Sequence, residues 1–474
     1  MKNYLIHPYI FGLYPLFFLV SNNISQLTYS SKFEIIILLF LIILFVYLLN
    51  FLFNLFFKDK EKSYLLSVFF IFLFYLVGHK NGLLPALILF LLFFYFIRKI
   101  QKNFKIAHKI LTIMALVLII MPIFSITLHL ISYSEKNSLN ELNLKSSNYQ
   151  ALKEKKFRDI YYLIMDGYTG SFALKEHLDF DNLNFINFLK SKNFHVAEKS
   201  QTNYNFTNFS IPSTLNMQYL SDINLDNYPN NPELIKKVEE LMKKNLVKKY
   251  LDNYQYKYIM VPSRVSTNWV PDNLDFVWKD SPDNYIAGDF INLFINQTIL
   301  STTNLFKKNY LNNRRDEILR QFNFLEEGVH KIQGPKFVFA HILSPHPPYV
   351  FKENGELADT DSSDEKWEFP NEYLNQIKFI NIRLEEIIEK IIKNSDIEPI
   401  IILQGDHGAI LFGTEPNKKN IEMSTNILNA ILLPEMNKEF LSNKISPVNT
   451  FRLIFKKYFN IEINLLKDKV FYYD

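Results

Sequence analysis

The chain has 474 residues, 48% hydrophobic and 16% aromatic with 45 Phe, too apolar for one soluble domain and too polar for a membrane bundle alone, so a composite is expected. Its formal charge of +4 is small for that length and no basic patch interleaves with aromatics, which excludes a nucleic-acid surface. With no cysteine, structural disulfides, thiolate metal sites and a cysteine nucleophile are excluded as well.

In chain order, the N-terminal part comes first. Five apolar stretches are candidate spans: Tyr9–Val20, Ile35–Phe57, Ser63–Gly78, Gly82–Ile97 and Ile110–Ile131. The second and fifth reach the roughly 20 residues that cross a bilayer. The third and fourth sit at the short edge of that range, and Pro15 interrupts the first. The run Phe33–Phe57 is too long, and lacks the small-residue cleavage site, for a removable signal peptide. The loops KDKEK (Lys58–Lys62) and RKIQKNFK (Arg98–Lys105) are rich in Lys and Arg, whereas SNNISQLTYSSK and HKN hold one lysine apiece. The positive-inside rule makes the two basic loops cytoplasmic. Everything after Ile131 then emerges on the other face, as the extracytoplasmic part of a multi-pass protein of the cytoplasmic membrane.

Residues 132–156 are polar and without sustained periodicity, which reads as a linker. Residues 157–474 alternate short apolar runs with amphipathic helices: DIYYLIMD, DNLNFINFLKSKN, ELIKKVEELMKKNLVKKYLDN, YKYIMVP, RRDEILRQFNFLEEGVHKI, KFVFAHIL, YLNQIKFINIRLEEIIEKIIKN, PIIILQGD, ILNAILLP and SPVNTFRLIFKKYF. Strand and helix in turn imply an α/β domain with a mainly parallel central sheet. In such sheets ligands bind beyond the carboxyl ends of the strands. Those ends carry Asp166 after YYLIM, His341 and His346 in HILSPHPPY, and Asp406 with His407 after IIILQG. Carboxylates and imidazoles gathered at one sheet edge suit a divalent metal, Zn²⁺ or Mn²⁺.

The stretch TNFSIPSTLN, Thr207 to Asn216, is dense in hydroxyl and amide side chains. Pro212 suits the first turn of a helix, which would place Thr207 just ahead of a helix N-terminus, where free N–H groups and the macrodipole favour an anion. Thr207 is the candidate nucleophile. Ser210 as a simple N-cap is an equally good structural account of the same stretch, and an Asp ending a strand is often only a turn residue.

Taken in order, Asp166, Thr207, His346 and Asp406-His407 on an α/β domain behind about five spans resemble the sulfatase-like branch of the alkaline phosphatase superfamily. Within it the chain looks most like membrane-anchored lipoteichoic acid synthase and the lipid A phosphoethanolamine transferases. The T-x-x-S-x-P pattern of the latter is reproduced by Thr207–Pro212, their S-H-x-P-Y segment is approximated by Pro345–Tyr349, and their Asp-His-Gly by Asp406–Gly408. The resemblance implies that Asp166, Thr207, Asp406 and His407 hold one metal, and that His346, with His341 as a further candidate, meets the phosphate or a second metal. Asp166 stands where those transferases carry Glu, a change of reach rather than chemistry.

The resemblance thus implies a metal-dependent phosphotransferase that moves phosphoethanolamine or phosphoglycerol from a membrane phospholipid to a glycan or lipid of the cell envelope through a phosphothreonine. A phosphatase or phosphodiesterase could use the same site. A sulfatase needs [C/S]-x-P-x-R, and here Thr214 stands at the arginine position of Ser210-Ile211-Pro212-Ser213. A scaffold that kept the fold and lost the chemistry is the non-enzymatic alternative.

Overall fold

The computed structural model describes residues 6–24, 29–76, 83–100, 104–132, 157–221, 231–263, 266, 269–271, 274–278, 289–359, 366–436 and 441–473. The expected linker lies outside them except for Ser132, which ends a helix. Seven strands are β1 (Ile160–Met165), β2 (His195–Val196), β3 (Lys257–Val261), β4 (Phe276–Val277), β5 (Lys336–Ile342), β6 (Ile400–Gly405) and β7 (Asn429–Leu432). The α-helices are α1 (His7–Asn23), α2 (Tyr29–Phe57), α3 (Lys60–Leu76), α4 (Leu83–Lys99), α5 (Lys105–Ser132), α6 (Ser171–Leu178), α7 (Leu183–Ser191), α8 (Thr207–Leu215), α9 (Pro232–Lys243), α10 (Leu246–Asp252), α11 (Asp289–Ile295), α12 (Asn304–Asn323), α13 (Pro370–Lys393), α14 (Lys418–Thr425) and α15 (Thr450–Tyr458).

Two compact units form, Met1–Asn140 with Ser281–Tyr310, and Glu141–Asp280 with Leu311–Asp474. In the first, all five apolar stretches are helical, and two of them, Lys32–Phe57 and Lys105–Leu128, are long and apolar enough to cross a membrane. Helices α1, α3 and α4 are 17 residues each and fall below that length. Phe40 and Leu52 on α2 and Ile113 and Met121 on α5 are exposed, an apolar surface that water would not tolerate over so large an area.

Residues 289–310, which the sequence places in the C-terminal domain, group with these helices. Phe290 and Phe294 of α11 are buried against Leu16, Leu19, Leu38 and Ile42. The buried Glu34 accepts the Ile291 N–H at 3.0 Å, satisfying one of the four donors that the first turn of any helix leaves open. Behind α11, Ile299 packs beside Leu73 and Ala86.

The second unit is built on one sheet in the order β2-β7-β6-β1-β5-β3-β4. The strands from β6 to β4 are mutually parallel, and β7 runs antiparallel to both its neighbours. Every residue of β1, β5 and β6 is buried, so each reads as a continuous apolar run rather than an alternation, as central parallel strands covered on both faces do. On one face, Tyr162 meets Phe451 of α15 edge-on with centroids 5.1 Å apart and Phe339 in a stack at 5.7 Å. Burying side chains of this size stabilises by roughly 1.5–3 kcal/mol each, which holds the central strands in register.

That register positions the site. Met165 pairs with both Ile342 and Gly405, so β1, β5 and β6 end level and the residues that follow them meet at one edge.

Candidate active site

Asp166 leaves β1 with its N–H donating to Ile342 O at 2.9 Å. Gly167 follows at φ +74°, and a Cβ there would sit 2.5 Å from the Trp367 ring, so only glycine fits the turn. The turn lets the Gly167 N–H donate to Asp406 Oδ1 at 3.0 Å. Across the edge, His407 donates from Nδ1 to Gly408 O at 2.8 Å, which leaves Nε2 as the lone-pair nitrogen of the neutral ring. Nε2 lies 3.5 Å from Asp166 Oδ1 and 3.7 Å from Asp406 Oδ2.

These two carboxylate oxygens are buried and accept no hydrogen bond among the described residues. Leaving two anionic oxygens so, facing a nitrogen lone pair, costs several kcal/mol unless a cation satisfies them. Tetrahedral ligands at the Zn–N and Zn–O bond lengths of about 2.0–2.2 Å lie roughly 3.3–3.6 Å from one another, close to the 3.5 and 3.7 Å from His407 Nε2 to the two carboxylate oxygens. Asp166, Asp406 and His407 therefore fit a divalent metal. Asp166, His341 and Asp406 also bring ligand atoms within 4.8 Å of one another.

His341, one residue before the end of β5, takes Asp166 Oδ2 at 3.2 Å through Nε2. Its Nδ1 lies 2.9 Å from Ser263 Oγ, and its ring stacks on Trp269 at 5.8 Å. Because the Ser266 hydroxyl donates to Ser263 O, the arrangement that gives every donor an acceptor has Ser263 donating to Nδ1 and His341 donating from Nε2 to Asp166. One oxygen of Asp166 is thus occupied and the other is left for the metal position.

Burial alone would raise the pKa of Asp166. The imidazoles of His346, His341 and His407 outweigh it and hold the carboxyl far below its ordinary range. For His407 burial acts downward, and the Asp406 and Asp166 carboxylates with the Gly408 carbonyl reverse it, so its pKa is raised.

His346 stands beside this group: its N–H donates to Asp166 O at 2.9 Å, its ring is edge-on to Trp367 at 4.9 Å, and it lies 6.4 Å from the His407 ring. Thr207 is half-buried. Here the structure corrects the sequence: Thr207 is the first residue of α8 rather than the residue ahead of a helix, and Pro212 lies inside α8, not in its first turn. Nor is Ser210 an N-cap. It is 2% exposed inside the helix and donates to Asp406 O at 2.6 Å, alongside Thr202, which donates to the same carbonyl at 2.5 Å. The first turn of α8 is thereby fastened to the strand end that carries Asp406.

Ser263, Thr202, Trp269 and Trp367 were not singled out by sequence. The chain has only three Trp; two of them border the site, and their rarity in polar loops was the signal available.

Residues 164–438, more than half of the chain, match the sulfatase family, and the chain belongs to that family. It is an enzyme of that family. Among solved structures, it resembles the integral membrane lipooligosaccharide phosphoethanolamine transferase A of Neisseria meningitidis at 11% identity over 94% of each chain, with a TM-score of 0.43. The C-terminal periplasmic domain of phosphoethanolamine transferase EptC from Campylobacter jejuni aligns with 65% of this chain and 92% of its own at 12% identity and a TM-score of 0.42. The corresponding EptC domain from Escherichia coli, in complex with Zn, aligns with 66% of this chain and 84% of its own at 12% identity and a TM-score of 0.41. No curated protein sequence matches significantly.

Proposed function

We propose that the protein is a membrane-bound, metal-dependent phosphotransferase that moves a phospho-alcohol head group, phosphoethanolamine or phosphoglycerol, from a phospholipid to an extracytoplasmic glycan or lipid. The observation that carries this reading is the convergence of Asp166 Oδ1, Asp406 Oδ2 and His407 Nε2 beside a helix whose first residue is Thr207. Asp166, Thr207, Asp406 and His407 are assigned to one divalent ion, Zn²⁺ or Mn²⁺. His346, with His341 behind it, is assigned to the phosphate side or a second ion. A divalent ion held there supplies positive charge that favours loss of the hydroxyl proton and neutralises the phosphoryl oxygens.

Thr207 Oγ attacks the donor phosphorus, the bond to the diacylglycerol oxygen breaks, and that oxygen takes up a proton. The acceptor hydroxyl then attacks the same phosphorus from the open side, loses its proton, and returns Thr207 as the free alcohol. The positive end of the α8 macrodipole, at Thr207, favours the developing negative charge. Ser210 is a poor alternative nucleophile because its hydroxyl is buried and committed to Asp406 O. The same commitment weighs against the sulfatase register that begins at this serine.

The membrane part supports a lipid donor. We assign 1–131 to five spans, 132–156 to a linker and 157–474, apart from the segment 289–310 that groups with the N-terminal helices, to the catalytic domain, with the loops around Lys60 and Lys102 cytoplasmic and the catalytic part outside. Incubating the full-length protein with phosphatidylethanolamine or phosphatidylglycerol vesicles and mapping peptides by mass spectrometry should find the head-group phosphate on Thr207. An adduct that passes only to water would favour the phosphodiesterase reading, and a Thr207→Ala protein with undiminished turnover would refute the covalent step.

A further inference from the structure

The segment 202–206 that carries the chain into Thr207 is fixed on one side by Thr202, through Asp406 O. Its other side is covered by the last residues of the chain. Phe471 donates its N–H to Asn203 O at 2.8 Å, pairs with Tyr204 in an isolated parallel bridge, and stacks on the Tyr204 ring at 5.0 Å and 12°. Asn203 in turn donates to Lys469 O at 2.8 Å. The buried Asn205 spends both ends of its amide on Tyr473, accepting its N–H at 3.0 Å and donating to its carbonyl at 2.7 Å.

The Tyr473 ring then reaches Phe209 at 5.8 Å. One tail residue therefore holds the chain two positions before Thr207 and two positions after it. Next to it, Tyr472 donates to Thr414 O at 2.8 Å, on the segment that follows the Asp406–Gly408 turn. These contacts run to the segment before Thr207 or to the loop beyond the metal ligands.

We propose that Lys469–Tyr473 is a positioning clamp that sets the segment and first helical turn bracketing Thr207 against the site. It rests on the reading of Thr207 as the nucleophile. The tail donates nothing to the reacting atoms; it acts by limiting where the hydroxyl sits. A misplacement of about 1 Å costs on the order of 10²-fold in rate, so a tail of this size can govern turnover while adding little to the core.

The test uses the full-length protein in detergent, with bis(para-nitrophenyl) phosphate as the substrate. A chain ending at Val470 should lose about 30- to 100-fold in kcat with KM within about 2-fold. Its metal content should be unchanged, and amide exchange across 203–209 should rise about tenfold while β1 and β6 keep their protection. Tyr473→Ala, which loses the ring contact with Phe209 but keeps the backbone bonds to Asn205, should show a smaller loss of kcat in the same direction. Unchanged exchange at 203–209 would overturn the clamp, and so would a loss of metal or of β1 and β6 protection in step with activity, which would make the tail a general structural element. Should Thr207→Ala keep its turnover, the nucleophile assignment fails by itself, and exchange at 203–209 still decides whether the clamp exists.

Discussion

Asp406 O is a buried carbonyl whose side-chain donors are Thr202 and Ser210, at 2.5 and 2.6 Å. Ser210→Ala removes one of two donors and leaves the other, so the loss is that of one ordinary neutral hydrogen bond, about 1 kcal/mol. Thr202→Val should cost about the same. Made together, the two changes orphan the carbonyl, which adds the penalty of an unsatisfied buried acceptor, about 1–3 kcal/mol. The double variant should therefore fall below the sum of the singles by a coupling of about 1–3 kcal/mol. All three tryptophans, Trp269, Trp278 and Trp367, lie beyond the five N-terminal apolar helices, so intrinsic fluorescence follows the second unit as the full-length protein is heated in detergent. At about 2–4 °C per kcal/mol, each single change lowers Tm by about 2–4 °C and the double change, about 3–5 kcal/mol in all, by roughly 6–20 °C. Ser210→Ala should keep its metal and most of its turnover. Additive losses would refute the shared-acceptor reasoning, and a Ser210→Ala protein that is inactive at unchanged Tm would return the nucleophile to the sulfatase register.

The remaining expectations concern the metal position and topology. Metal analysis of the purified full-length protein should find a bound divalent ion, with Asp166→Asn or Asp406→Asn losing most of it and His346→Ala keeping it while turnover falls. Because the pKa of His407 is raised, protons compete with metal, and affinity should climb about tenfold per pH unit until the pH passes that raised value. The sign for the metal-free protein is opposite: stability from His407 is fully present below its ordinary value of about 6.5 and is lost as pH rises through the raised one, which a Tm series in chelator would show. Reporters fused at Lys60 and after Ser146 should be active only inside and only outside the cytoplasm, respectively, and swapped activities would overturn the lipid-donor reading.

Much of the site was legible because strand ends are legible. The apolar runs before Asp166, His341 and Asp406 mark central parallel strands, and the level register of β1, β5 and β6 brings those ends to one edge. The start of α8 was misplaced because Pro212 signals a first helical turn when only local preference is weighed. In the fold, burial of Phe209, Ile211 and Leu215 and the bond from Ser210 to Asp406 extend the helix back to Thr207 despite the N–H that Pro212 lacks. The partners of His341 could not be read at all, since Ser263 and Trp269 reach it only through the pairing of β3 with β5. The same holds for the chain terminus, whose contacts with Asn203 and Asn205 span more than 260 residues.

The burial of Phe290, Ile291 and Phe294 among the N-terminal helices bears on how the catalytic part can be handled. A fragment beginning at residue 157 keeps these side chains and discards everything they pack against. Each stripped aromatic exposes on the order of 150–250 Å² of apolar surface, enough for the pair to approach the largest patch a soluble monomer tolerates. Such a fragment should cling to detergent micelles and self-associate, and should become well behaved when 289–302 is removed from it. The boundary between greasy and soluble parts of this protein is a property of its contacts and cannot be drawn with a single cut.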